Sequence, residues 1–166
     1  MASSTQTTGN LWDWSARIHF DKYEMQCNVS VCLFLGDPAL IPSDPENWHL
    51  QPTYIGSHQS FVGRGEHRTH GEKESMEEGF VHLTKAIAKS AELKDLEPES
   101  VAPYLKDRLH WKVHNADLEV VQLKSLEIIV FATLLVLRPG EMFPVPVERR
   151  QINAITYGKP GGSREA

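Results

Sequence analysis

Residues 26–35, Gln26-Cys27-Asn28-Val29-Ser30-Val31-Cys32-Leu33-Phe34-Leu35, decide the fold class. Cys27, Val29, Val31, Leu33 and Leu35 alternate with Gln26, Asn28, Ser30, Cys32 and Phe34, the period of two of a strand with one face in a core. Asp37 and Pro38 end the run. Further along, Trp111 to His114, Glu119 to Gln122 and Leu126 to Leu137 also predict strands. Between them, Thr84 to Leu93 carries Ala, Ile, Lys and Glu at helical spacing, and a second short helix is expected from Pro98. The expected fold is therefore mostly β, a single-domain β-barrel or β-sandwich with two short helices.

With 166 residues, 40% hydrophobic and 23% charged, the chain can bury a substantial core without disulfides or a structural metal. We expect a tail over residues 1–10, the β domain over 11–162 and a tail over 163–166. A formal net charge of -5 argues against nucleic acid as the main partner, because phosphate binding needs a clustered basic surface. Met1 to Asn10 lacks the basic start and apolar run of a secretory signal, which predicts a cytoplasmic protein. Leu126 to Leu137 is too short to cross a bilayer as a helix, so no membrane span is expected. Cys27 and Cys32 are five apart and face opposite sides of an extended strand, so they are read as two buried, unpaired thiols in a reducing compartment.

Several blocks recur in a recognisable order. Trp12, Trp14, Ala16, Arg17 and Ile18 come first, followed by Val31, Leu33, Leu35 and Gly36, and then by Trp48, Gly56, Ser57, His58 and Phe61. After Gly79, Val81, Leu83 and Thr84 comes the most specific stretch: Leu96, Pro98, Glu99, Val101, Pro103, Tyr104, Leu105, Leu109 and Trp111. Thr156 to Gly162 closes the series. In these blocks, from about Trp12 to Gly162, the chain resembles the C-terminal domain of fungal tyrosinases, the β-rich module that shields the copper site of the preceding catalytic domain. It departs from that family in two ways. No copper catalytic domain precedes the blocks, and His67 and His70 stand in the loop where the family usually carries a C-x-x-C copper-handling motif. A shielding domain with nothing to shield is expected to have another role.

The segment from Val62 to Glu78 is the most polar of the chain and reads as a loop. Within it, His67 and His70 with Glu66 or Glu72 can be read as a copper or zinc site, against the plainer reading of a solvated loop with incidental histidines. A lid over a pocket mouth is the third reading. By the resemblance, Phe61 is the aromatic that projects into a partner's copper pocket; it can instead line this chain's own cavity or be core. Trp12, Trp14, Tyr54, Tyr104 and Trp111 face the same choice between core and pocket wall, and Arg64 joins them as a candidate substrate-binding residue.

His58, His110 and His114 have the chemistry for acid or base work, although a lone histidine in a β protein is more often structural. Arg149 and Arg150 are adjacent in the last strand region, so one can point inward toward an anionic or carbonyl group unless both are solvated. No Ser-His-Asp arrangement, phosphate-binding loop or dinucleotide fingerprint is visible.

Stand-alone relatives of this domain resemble hetero-Diels-Alderases of fungal tropolone-sesquiterpenoid pathways. The resemblance implies a cofactor-independent enzyme that assists loss of water from a benzylic alcohol and orients the resulting o-quinone methide against an alkene. In that reading His58, Arg149 and Arg150 are catalytic, the aromatics wall the pocket, and the partners are small apolar molecules. A homo-oligomer is compatible with it. The alternatives are a copper-carrying or shielding module acting in trans on a tyrosinase, and an inhibitory partner that docks without chemistry.

Overall fold

From Asn10 to Asp21 every second side chain is apolar at Trp12, Trp14, Ala16, Ile18 and Phe20, and in the computed structural model all five are buried along one face of β1 (Asn10–Asp21). Residues 9–62, 75–90 and 92–166 are described. The other strands are β2 (Val29–Leu35), β3 (Tyr54–Gln59), β4 (Met76–His82), β5 (Leu109–Asn115), β6 (Val120–Val121), β7 (Glu127–Val136) and β8 (Val145–Gln151). They form two antiparallel four-stranded sheets ordered β4-β1-β7-β8 and β3-β2-β5-β6. Val29, Val31, Leu33 and Val113 of the second sheet meet Trp14, Ile18, Val130 and Ala132 of the first in one core. Of the two expected architectures the chain adopts the sandwich. At one edge β3 and β4 approach without pairing among the described residues, so no closed barrel forms.

Two helices cap the core. In α1 (Thr84–Ala88), Thr84 Oγ1 accepts from the Trp14 backbone N–H at 2.7 Å and donates to Asp13 Oδ1 at 2.6 Å. In α2 (Pro98–Arg108), Pro98 opens the first turn, where its missing N–H costs nothing, and Val101 and Leu105 face the core. The expected helix from Thr84 to Leu93 stops early, because Ile87 is its one buried anchor and no apolar stripe continues.

Three further expectations are corrected. Strand β2 begins at Val29 rather than Gln26 and is buried on both faces: Cys32 and Phe34 lie under a cover made by the turn Pro45–Leu50, whose Trp48 is 1% exposed. The loop expected through Glu78 ends where β4 begins at Met76, since pairing with Asp21 to Ser15 of β1 overrides its polar composition. Cys27 is half-buried and only Cys32 is fully buried, though both are free as expected. Burial pushes the Cys32 thiol up to about 11.

Candidate functional site

The closing segment supplies the wall of the larger cleft. Thr156 Oγ1 donates to the Ile128 carbonyl at 2.7 Å and accepts from the Ser163 N–H at 3.0 Å, which lays residues 156–163 against β7. Gly161, at φ 77°, sits so close to Leu126 and the Trp111 indole that a side chain there would collide with both. The Trp111 N–H donates to the Pro160 carbonyl at 2.9 Å, which satisfies the polar end of the indole and leaves its ring as an apolar wall. The cleft holds about 460 Å³, within the range of small-molecule sites. Val113, Val121, Leu123 and Leu126 line it, and Lys124 and Gln122 add polar groups, while Lys112 borders it with its ammonium 5.9 Å over Trp48.

Next to this wall, Lys159 Nζ donates to the Leu109 carbonyl at 3.0 Å and lies 5.8 Å from the centre of the Trp111 ring. Burial lowers its pKa, against an opposing pull from Asp107. Burial, and then the Lys159 charge, also lowers the pKa of His110, whose Nε2 is buried without a partner among the described residues. In sequence Lys159 shows only as part of the closing block from Thr156 to Gly162, because its surroundings come from Leu109 and Trp111, about fifty residues away.

A second cleft, about 400 Å³, opens between α1, α2 and the start of β3 and brings together Tyr54 and Tyr104. Both are half-buried. The Tyr54 hydroxyl donates to Ser57 Oγ at 3.0 Å.

The remaining candidates are dispersed. His58 lies at the edge where β3 meets β4: its Nε2 is 3.0 Å from Glu77 Oε1, its ring packs edge-on to Phe20 at 6.2 Å, and the absence of a side chain at Gly79 makes room for it. It lines neither cleft and closes the seam between the sheets. Trp12 and Trp14 are core rather than pocket wall. The Trp14 indole is fully buried and donates to the Leu96 carbonyl at 2.9 Å, and the Trp12 indole donates to Glu97 Oε2 at 2.9 Å.

Neither Arg149 nor Arg150 reaches the interior, because β8 is an edge strand and both side chains find partners outside. Arg149 lies 4.1 Å over the Phe131 ring, and Arg150 lies 4.8 Å over Trp12 while pairing with Glu148 at 2.7 Å and Glu99 at 3.6 Å. Phe61 is 77% exposed and lines no described cleft. The Trp48 ring stacks at a tilt on His114, whose Nδ1 contacts the Asn115 carbonyl at 2.8 Å. Arg64, Glu66, His67, His70 and Glu72 lie outside the described residues, and among those described no cluster suited to a metal ion occurs. No described helix is long and apolar enough to cross a membrane.

A family model for the tyrosinase C-terminal domain matches residues 13–130. The chain is 33% identical over 140 residues to polyphenol oxidase 4 of Agaricus bisporus, covering 81% of this chain and 21% of that protein. It is 28% identical over 169 residues to a tyrosinase of Neurospora crassa, covering 93% of this chain and 24% of that protein. Among solved structures, mushroom tyrosinase in coexisting latent and active forms matches with a TM-score of 0.70 and 26% identity, over 89% of this chain and 26% of that one. Recombinant mushroom tyrosinase matches with a TM-score of 0.63 and 28% identity, over 86% of this chain and 25% of that one. The chain thus spans about a fifth to a quarter of the length of the relatives it matches.

Proposed function

The chain belongs to the tyrosinase C-terminal domain family, and from that premise we propose that it acts as a cofactor-independent cyclase, a hetero-Diels-Alderase that seats small apolar molecules in the Trp111 cleft. The observation that supports this reading is the cleft itself, about 460 Å³ with an indole wall and an aliphatic floor. A space of that kind suits two apolar reactants held face to face.

The substrate in this reading is a tropolone bearing a benzylic alcohol beside its ring hydroxyl. The benzylic C–O bond breaks and the hydroxyl leaves as water with the ring hydroxyl's proton, giving the o-quinone methide. An alkene then adds across the exocyclic carbon and the ring oxygen, forming one C–C and one C–O bond. Atoms and electrons balance without an oxidant or a metal. Orientation of bound partners can supply about 7–11 kcal/mol of a barrier, and exclusion of water protects the quinone methide from capture. Lys124 is the cationic residue of the lining that in this reading steadies negative charge on the ring oxygens, whereas the Lys112 ammonium lies 5.9 Å over Trp48 on the other face of the sheet. His58, engaged with Glu77 at the sheet seam, is not among the lining groups. The two unpaired cysteines suit a reducing compartment, so the proposal places this chemistry in the cytoplasm.

The test is incubation of the purified, metal-free protein with a tropolone benzylic alcohol and a humulene-type alkene, with product chirality read by chromatography. A single enantiomer formed faster than in buffer is the expected result, and Trp111→Ala should slow it by about 100-fold or more, given the cost of misplacing bound reactants. A racemic product at the buffer rate overturns the proposal. It would favour a second reading, supported by the exposure of Phe61, in which the domain shields or supplies copper to a separate tyrosinase with that ring leading the contact.

A further inference from the structure

The cleft between α1, α2 and β3 differs from the Trp111 cleft in its chemistry. Leu35, Ile55 and Ala86 give it an apolar floor, and Tyr54 and Tyr104 flank it with two aromatic rings. Lys85 and Lys89 supply its charge, and no carboxylate is among its lining residues. This is unexpected in a chain with 22 acidic and 17 basic residues, and the local reversal of sign needs a cause.

Lys85 and Lys89 are four apart, so α1 and its C-terminal cap present them on one face, where like charges repel. Neither forms an ion pair among the described residues, whereas nearby Arg108 is matched by Glu92 at 3.1 Å. The Tyr104 hydroxyl likewise has no hydrogen-bond partner among the described residues, unlike that of Tyr54. Two unmatched ammonium groups and an uncommitted phenol therefore line the cavity beside the apolar side chains of Leu35, Ile55 and Ala86.

We propose that this cleft is a binding site for a flat aromatic carboxylate, with the ring system between Tyr54 and Tyr104 and the carboxylate at Lys85 and Lys89. The two tyrosines favour a planar body over an aliphatic one, since offset or edge-on ring contacts add to area burial. The lysines favour a carboxylate over its neutral amide, because a charge-assisted hydrogen bond is about twice as strong as a neutral one. The apolar side chains beside the lysines favour an organic acid over a bare inorganic anion. The site is independent of the cyclase reading, which concerns a different cavity.

The test uses the full chain and 2-naphthoate as the probe, followed by calorimetry and by backbone amide shifts. Saturable binding is expected, with shifts centred on α1, Tyr54 and Tyr104. Neutral 2-naphthamide and inorganic phosphate should each bind at least about tenfold more weakly, the scale of one charge-assisted contact. The double substitution Lys85→Gln and Lys89→Gln, at exposed positions, should weaken naphthoate by about tenfold or more, and Tyr104→Phe by a smaller factor. Equal binding of acid and amide would overturn the proposal, as would phosphate competing on equal terms, shifts centred on Trp111, unaltered affinity in the double variant, or no binding at millimolar probe.

Discussion

On the outer face of the β3-β2-β5-β6 sheet, Phe34 is covered by the chain itself: Trp48 packs edge-on to it at 6.0 Å, Tyr54 does the same at 5.9 Å, and the Trp48 N–H is held by the Pro42 carbonyl at 2.7 Å. On the outer face of the β4-β1-β7-β8 sheet, Phe131 is 6% exposed with no covering segment among the described residues, and it lies under Arg149 at 4.1 Å and Arg17 at 5.6 Å. One sheet hides its second apolar face with an aromatic lid fixed by a turn. The other uses guanidinium groups, of which Arg149 is exposed to water while the Arg17 Nε is buried without a partner among the described residues. The difference teaches where stability is concentrated. A lid that excludes water on both sides contributes as core does, whereas an arginine over a ring contributes as surface does.

The comparison breaks most visibly at Trp48. Truncation to alanine uncovers Phe34 and Cys32 and leaves a void beneath residues 45–50, so Trp48→Ala should cost about 3–5 kcal/mol in urea unfolding. If the loss stays under about 1 kcal/mol, the lid is only a surface loop and the two faces are alike.

The arginine face predicts the opposite scale. Arg149→Ala removes the closest cation over Phe131 and part of its cover, and should cost about 0.5–1 kcal/mol in the same measurement. Phe131 keeps Arg17 on its ring, which limits the damage. A loss approaching that of Trp48→Ala would mean that the guanidinium cover works as a lid after all.

How much of this contrast is legible in the sequence follows from where each partner lies. The alternation at Val29, Val31 and Leu33 identifies the inner face of β2, and Pro98 announces α2, because both signals are local. The lid on the other face of β2 is not local. Trp48 and Phe34 are brought together by the turn geometry of residues 38–50, held by Asp37 and Asp44 capping two short 3-10 turns. For the candidate sites the distances in sequence are larger still. The Trp111 cleft needs Pro160, and Tyr54 meets Tyr104 only because α2 packs beside β2 and β5. The residue types of both clefts were therefore readable at Trp111, Tyr54 and Tyr104, while the partition of the candidates between two cavities, the core and the outer faces was not. Arg149 and Arg150 show the same gap. Strand alternation separates their directions, but only the edge position of β8 leaves both outside.

The smallest effect distinguishes the two faces by pH rather than by depth of burial. His110 is paired in register with Phe34 on the lidded face, and burial holds its pKa below its ordinary 6.5. Between that lowered value and 6.5, the unfolded chain binds a proton that the folded chain does not, so stability falls as pH drops through this window and levels off beneath it. The groups around His110 act in both directions: Lys159 and Arg108 oppose its protonation, while Asp37 and the Asp107 carbonyl favour it. His110→Leu removes both the titration and the unpartnered Nε2, so urea unfolding of the variant should show a shallower pH dependence than the parent below pH 6.5. Arg149→Ala should leave the parent's slope intact, because a guanidinium does not titrate in this range. Parallel pH profiles for the parent and His110→Leu would show that the lidded face is no drier at His110 than the arginine face, and would confine the contrast between the two sheets to Trp48.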